Sequence, residues 1–332
     1  MTKESSLNVA YVGDLLNHGL SIPSFGSAII YLLSRSNKVD NIDAFCPVLN
    51  GNETYRVPSN VNIQELYNQE STFTYLRLFK IKWSKYDLII VNMHPTSFGI
   101  GSVQNGMGLI FPLFLKLLQT SKVKVIYHNS AFTNDIKSLG YVGLFNKVRA
   151  WLLKVLEKEI FKNLDTYVLL GIYKKRLNKK IKNNKIHILQ FNQIEAVPTI
   201  FLNKLEQTKS ISLSFNNPPN ILLVGNWGPQ KNLKLALSSL EKIKKMGYNF
   251  NLIIGGQINK NFKDFKEEYE GLLERFSGII TENRGYIAEI DMNDLFSRSD
   301  ILLLPYNAPG GHSGVLAMGL FFNCAVVSID FP

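Results

Sequence analysis

A lysine set behind a glycine turn carries the strongest chemical signal in the chain. The segment Gly225-Asn226-Trp227-Gly228-Pro229-Gln230-Lys231-Asn232 follows the apolar run Ile221-Leu222-Leu223-Val224 and precedes an amphipathic run from Leu233 to Met246. A strand that turns into a helix in this way aims backbone N–H groups and the positive end of a helix dipole at one spot. Such a spot favours an anion, usually a phosphate. In an open α/β sheet it lies outside the carboxyl ends of the strands, where ligands bind. Lys231 is therefore a candidate partner for the phosphates of a nucleotide, with Gly225 and Asn226 forming the turn. Taken alone, a turn with one lysine is more often a solvated loop.

A second loop supports the first. Pro305-Tyr306 ends the apolar run Ile301 to Leu304, and Gly310-Gly311-His312-Ser313-Gly314 leads into an apolar helical run ending at Phe322. Glycines let a backbone approach a ligand closely. Ser313 has the chemistry of a helix N-cap, and capping is compatible with anion binding because both use the same helix end. Gly311, His312, Ser313 and Gly314 thus form a second candidate set for the same ligand.

Two histidines end strand-like runs, His94 in Asn92-Met93-His94-Pro95 and His128 in Val125-Ile126-Tyr127-His128-Asn129. An imidazole placed there can donate a hydrogen bond to a ligand hydroxyl, or a proton to a departing group, near neutral pH. The plainer role is a histidine bonded to backbone. Function is favoured for His128 and the plainer role for His94. Gly26 closes the polar loop Gly13 to Gly26 after the first strand; close helix–strand packing accounts for it equally well.

The order Gly-turn-Lys, Gly285-Tyr286, Ser299-Asp300, apolar strand, Pro305-Tyr306, Gly-rich loop and Ala325-Val326-Val327 resembles the C-terminal half of the group 4 glycosyltransferases. These are retaining enzymes whose GT-B fold places two Rossmann-like α/β domains across a cleft. The resemblance is clear over about residues 220–332 and loose before that. It implies an α/β chain divided into an acceptor-side domain (1–202), a linker (203–219) and a nucleotide-sugar donor domain (220–332). It also implies sugar transfer to a hydroxyl with retention. In that family the strand-end histidine matched by His128 touches the donor sugar, and the loops matched by Gly26 and His94 face the acceptor side.

The departures are specific. Asn226 stands where the family has arginine, and Gly310 and Met318 stand at the two positions of its Glu-x7-Glu pair. The side chains that usually meet the donor sugar and ribose are therefore missing, leaving backbone amides and the helix N-terminus to hold a diphosphate. The chain also stops after one strand where relatives continue through further helices, so the second domain is expected to be short.

Composition narrows the classes. A length of 332 residues fits two domains. No apolar run is long enough for a membrane span, and residues 1–7 do not read as a signal peptide. Cys46 and Cys324 read as separate buried thiols. No Cys/His spacing fits zinc and no Asp-x-Asp motif is present, so neither a metal nor another cofactor is expected; the nucleotide-sugar is a co-substrate. Glu157 and Glu159, on a long helix, read as solvated or lysine-paired, and Asp300 as structural. A net charge of +11 calls for an anionic partner. An anionic membrane surface ranks above nucleic acid, for which no motif is present. Leu139 to Phe161, with Tyr141, Phe145, Trp151 and interspersed lysines, could lie on such a surface; Leu109 to Leu118 reads better as a core helix. A cytoplasmic protein resting on the membrane, with a glycan or lipid-linked acceptor, follows. Alternatives are a non-catalytic binding protein or partner subunit, a sugar-nucleotide 2-epimerase and a nucleic-acid binder.

Alternation of strand and helix signals, the mark of βαβ units, sets the frame. Strands are expected at Leu7–Val12, Asp43–Val48, Asp87–Asn92, Lys124–His128, Thr166–Leu170, Ile186–Phe191, Ile221–Val224, Phe250–Gly255, near Ile279, Ile301–Leu304 and Ala325–Ile329. Helices are expected at Ser27–Leu33, Leu109–Leu118, Phe145–Leu164, Leu233–Met246, Asp291–Arg298 and Gly314–Phe322.

Overall fold

The structure, a computed structural model, describes residues 6–15, 21–48, 58–68, 71, 75–93, 98, 102–118, 122–128, 130–132, 144–181, 185–189, 218–259, 262, 264–287, 289–307 and 313–329. The chain divides into two compact units, each built on its own sheet of parallel strands.

The first unit contains β1 (Leu7–Val12), α1 (Ser21–Ser34), β2 (Val39–Pro47), β3 (Val61–Tyr67), α2 (Leu76–Phe79), β4 (Leu88–Met93), α3 (Ser102–Leu118), β5 (Val123–Tyr127), α4 (Leu144–Asn163), β6 (Asp165–Val168), α5 (Gly171–Ile181) and β7 (Ile186–Ile188). Its described strands lie in the order β3-β2-β1-β4-β5-β6-β7. The order reverses between β1 and β4, the switch point at which a doubly wound sheet opens for a ligand. The central strands are apolar on both faces: in β1 Val9 and Tyr11 pack on one side while Ala10 and Val12 pack on the other. That is the pattern of a parallel strand covered twice.

The second unit contains β8 (Asn220–Val224), α6 (Leu233–Lys245), β9 (Asn251–Gly255), α7 (Phe265–Arg275), β10 (Glu282–Arg284), α8 (Glu289–Ser297), β11 (Ile301–Leu304), α9 (Gly314–Phe321) and β12 (Ala325–Ser328). The described strand order is β10-β9-β8-β11-β12, with the switch point between β8 and β11. In α6 the buried residues Leu233, Ala236, Leu237 and Leu240 recur at helical spacing, with lysines on the wet face.

Two separate sheets bear out the expected two-domain α/β architecture. One strand expectation fails. Ser277–Ile279 forms a 3-10 turn, with Ile279 N–H donating to the Phe276 carbonyl, and the strand begins at Glu282. Ile279 is apolar because it packs under α6 and α7, not because it belongs to a strand.

Candidate functional site

In the second unit the switch point brings together the loops that follow β8 and β11. Gly225 to Gly228 turn out of β8 into a 3-10 turn over Pro229–Lys231, and Asn232, in the left-handed region at φ 49°, leads into α6. Trp227 holds this turn in place: it is buried, its indole Nε1–H donates to the Gly255 carbonyl at 3.0 Å, and its backbone N–H donates to Gln257 at 2.7 Å. The turn presses so closely on the end of β9 that a Cβ on Gly256, at φ +108°, would lie 1.8 Å from the Gly225 carbonyl oxygen. Only glycine fits there.

Lys231 folds back over the turn. A Cβ on Gly225 would lie 3.6 Å from its Cε and 3.8 Å from its Nζ. The ammonium sits 3.6 Å from the centroid of the Tyr306 ring, which follows β11. A cation over an aromatic face is stabilised by the ring quadrupole, most strongly when desolvated. Burial, with no carboxylate contributing, lowers the Lys231 pKa to about 8. Burial also raises the Tyr306 phenol to about 12, with the Ser313 side chain close enough to oppose the shift. Asn307 ties the two loops together, donating from its backbone N–H to Gln230 at 3.0 Å and from Nδ2 to Pro229 at 3.2 Å. Ser313 caps α9 by accepting from Leu316 N–H at 3.2 Å. Among the described residues the buried side-chain oxygens of Asn226 and Gln230 have no hydrogen-bond partner. Rotating either amide would turn its NH2 donors toward an anion instead.

The structure thus places Gly225, Asn226 and Lys231 in one turn, with Ser313 and Gly314 at the start of α9, and joins the two loops through Tyr306. Gly311 and His312 lie outside the described residues. Tyr306 was legible only as part of a motif order; its role as the face under Lys231 needs the strand order. Asp300 is structural, accepting from Asn220 N–H at 2.7 Å.

In the first unit His128 is buried directly after β5. Its backbone N–H donates to the Met93 carbonyl at 3.1 Å, and its Nε2 meets Asn92 Oδ1 at 2.6 Å. Phe25 stands edge-on to the imidazole, with ring centroids 4.8 Å apart. Gly26 follows Phe25 in α1. A Cβ there would lie 2.2 Å from the Tyr11 hydroxyl and 2.4 Å from the Asp14 carbonyl oxygen, so this glycine is required by packing. His94 lies outside the described residues.

Glu157 corrects the sequence reading. It is not solvated on α4 but fully buried, accepting from Tyr127 Oη at 2.8 Å, Ser130 Oγ at 2.7 Å and Ala131 N–H at 2.9 Å. A helical pattern marks the position as polar; only the packing of α4 under β5 shows that its carboxylate faces inward. Glu159, by contrast, does pair with a lysine, Lys162, at 4.0 Å.

No family model matches the sequence, and no curated protein matches it. The fold does have solved counterparts. HepE from Anabaena, in complex with UDP-glucose, superposes with a TM-score of 0.61 at 13% identity, covering 97% of this chain and 80% of that one. The catalytic domain of starch synthase IV from Arabidopsis thaliana, bound to ADP and acarbose, gives 0.60 at 12% identity over 98% and 83%. UDP-GlcNAc 2-epimerase from Methanocaldococcus jannaschii gives 0.51 at 12% identity over 97% and 83%. The chain has the two-domain α/β fold of GT-B proteins.

Proposed function

We propose that this chain transfers a sugar from a nucleotide-sugar donor to a hydroxyl acceptor. The observation that carries the reading is the desolvated Lys231 ammonium at the β8/β11 switch point, beside the capped N-terminus of α9. A fixed cation and backbone N–H groups aimed at one point offset charge developing on a departing diphosphate. On this reading Gly225, Asn226, Lys231, Gly311, His312, Ser313 and Gly314 hold the donor, His128 touches its sugar, and Gly26 and His94 belong to the acceptor side. Retention is what the sequence resemblance implies, and independence of metal is proposed because Lys231 and helix N-terminal amides can stabilise the departing diphosphate. That HepE was solved with UDP-glucose and starch synthase IV with ADP accords with a nucleotide-sugar donor. The likeness to the 2-epimerase keeps donor epimerisation as a second reading.

The test is product analysis on the full chain with a panel of nucleotide-sugars, with and without hydroxyl acceptors and a chelator. Acceptor-dependent transfer with retained configuration, unaffected by chelation, is expected. Epimerised donor without acceptor would favour the second reading; diphosphate binding with neither product would mark a non-catalytic protein and end the proposal.

The same proposal includes peripheral contact with an anionic membrane, which suits a lipid-linked acceptor in surface polysaccharide or glycolipid assembly on a cytoplasmic face. Val148, Trp151, Leu152 and Val155 form one exposed apolar stripe along α4, with Trp151 63% exposed, and Lys147 and Lys158 also lie exposed on this helix. Apolar insertion and lysine–headgroup attraction act together on such a face, each basic residue contributing about 1 kcal/mol. In α3, Leu109, Phe111 and Leu115 are core residues, as expected, while Ile110, Leu117 and Leu118 are exposed. Among the described residues no helix is long and apolar enough to cross a membrane. The chain is expected to co-float with anionic liposomes at low salt and Trp151→Glu to release it; a wild-type chain that stays at the bottom of the gradient removes the membrane contact.

A further inference from the structure

The loops that follow β8 and β11 are fastened to each other by a ring contact and two hydrogen bonds. The Lys231 ammonium lies 3.6 Å from the centroid of the Tyr306 ring. Asn307, next in the chain, donates from its backbone N–H to the Gln230 carbonyl at 3.0 Å and from Nδ2 to the Pro229 carbonyl at 3.2 Å. Both acceptors belong to the 3-10 turn that ends at Lys231. That turn is closed by the Lys231 N–H donating to the Gly228 carbonyl at 2.9 Å, and Trp227 anchors its start on the end of β9. The lysine backbone is thus fixed from both loops, and its long side chain is fixed by the ring.

Tyr306 acts here through its face, not its hydroxyl. The phenol oxygen is buried and has no hydrogen-bond partner among the described residues; Ser313 lies near it without bonding to it in good geometry. A ring and a carboxylate hold a lysine differently. A carboxylate neutralises the ammonium, and an anionic ligand must then displace it. A ring attracts the cation through its quadrupole and leaves the full charge in place. Among the described residues no carboxylate meets this ammonium, and burial is the one influence on its proton affinity. An ammonium carries three N–H donors, which a single aromatic face cannot occupy together.

We infer that Tyr306 and Asn307 are positioning residues for Lys231: the ring holds the ammonium in place before a ligand arrives, and Asn307 locks the turn that carries it. This rests on the proposed donor site only for its consequence. A free lysine side chain loses much rotamer freedom when it is ordered against a ligand. A lysine already placed, with its charge uncompensated, meets a diphosphate without that loss, so affinity keeps what the ordering would cost.

The test reads the placement in the free chain and its effect on binding separately. In the full chain carbon-labelled at lysine, methylene protons held over an aromatic face are displaced upfield by the ring current. The wild type is expected to show an upfield Cε signal that Lys231→Met removes, which separates it from Lys85 over Tyr86. Tyr306→Phe should retain the signal and Tyr306→Leu should return it to the ordinary position. Calorimetric titration with UDP and with ADP reads the consequence. Tyr306→Leu is expected to weaken binding roughly two- to tenfold, the fold-change that ordering one long side chain amounts to, while Tyr306→Phe binds like the wild type. In the Lys231→Met background the same leucine substitution should change affinity no further, a coupling that a merely structural ring would not give. Asn307→Ala, at an exposed side chain, serves should Tyr306→Leu not fold; it is expected to reduce the upfield displacement and to weaken binding in the same direction. A wild type without the displaced lysine signal, a phenylalanine variant that loses as much as leucine, or a leucine effect of equal size in the Lys231→Met background overturns the inference. Unchanged signal and affinity in Asn307→Ala overturn the part assigned to that residue. A wild type that shows the signal but binds neither diphosphate overturns the donor-site reading alone.

Discussion

Replacing Lys231 with methionine is expected to weaken binding of a nucleoside diphosphate by roughly ten- to a hundred-fold, since a hydrogen bond to a charged group contributes about 1.5–3 kcal/mol. Methionine keeps the apolar stem over Tyr306 and removes only the charge. The free lysine titrates at about 8 because burial disfavours its ammonium. A bound diphosphate reverses that preference, so the bound complex holds the proton to higher pH than the free protein. Linkage then gives the sign: affinity is level with respect to this group below about pH 8 and falls as pH rises above it, with proton uptake on binding. The methionine variant should lack both the uptake and that fall. It should also be no less stable than the wild type, because the change removes a buried charge that has no carboxylate partner among the described residues. Calorimetry in two buffers of different ionisation enthalpy, repeated across this pH range, measures affinity and proton uptake together. Equal affinity in both proteins sinks the donor-site assignment, and a large loss of stability would recast Lys231 as structural.

What could be read from sequence follows from where each element sits in its sheet. Central strands such as β4 and β11 are continuous apolar runs and were placed within a residue or two. The edge strands β10 and β3 were not, although the edge strand β12 was. β10 reads Glu-Asn-Arg, with Glu282 paired to Arg284 and Arg298, and β3 is polar at Asn62, Gln64 and Glu65 on an edge of the other sheet. An edge is half solvated and carries charge, so its pattern resembles a loop. Helix α7 was missed because its acidic first turn and sparse apolar residues, Phe265, Tyr269 and Leu272, give a weak stripe.

The site was legible to the extent that its parts are local. Lys231 and its turn lie within one segment, and Ser313 caps its helix within four residues, so local chemistry names them. Tyr306 lies far along the chain from Lys231 and meets it only because β8 and β11 are neighbours. Tyr11 and Asn92 come from two strands and His128 follows a third, and an asparagine at a strand end gives no sign that it will face an imidazole. Buried polar networks of this kind depend on strand order, which sequence patterns of single elements do not contain.

Glu157 is the extreme case, and the effect of removing it should be correspondingly large. Its carboxylate joins α4 to β5 through Tyr127 and to the segment after His128 through Ser130 and Ala131. Substitution by leucine withdraws the acceptor from three donors in a dry site. Each buried donor left without its acceptor costs about 1–3 kcal/mol, so a loss of about 3 kcal/mol or more is expected. For a unit of this size that corresponds to a fall in Tm of about 6–12 °C. Glutamine retains one acceptor oxygen but turns an NH2 toward a donor, and should fall between leucine and the wild type. Burial pushes the Glu157 carboxyl up to about 7, opposed by its three donors and by Lys154. A folded-state value above the unfolded 4.5 means that the folded protein holds the extra proton between those limits. The stability this proton contributes is fully present below the unfolded value and is lost as pH rises through about 7. Wild-type stability should therefore decline across that window relative to the glutamine variant, which has no proton to lose. Denaturant unfolding of the three proteins at several pH values measures both effects. A leucine variant as stable as the wild type would show that the carboxylate does not hold this segment. Parallel pH profiles for wild type and glutamine would show that it is ionised throughout, its three donors outweighing burial.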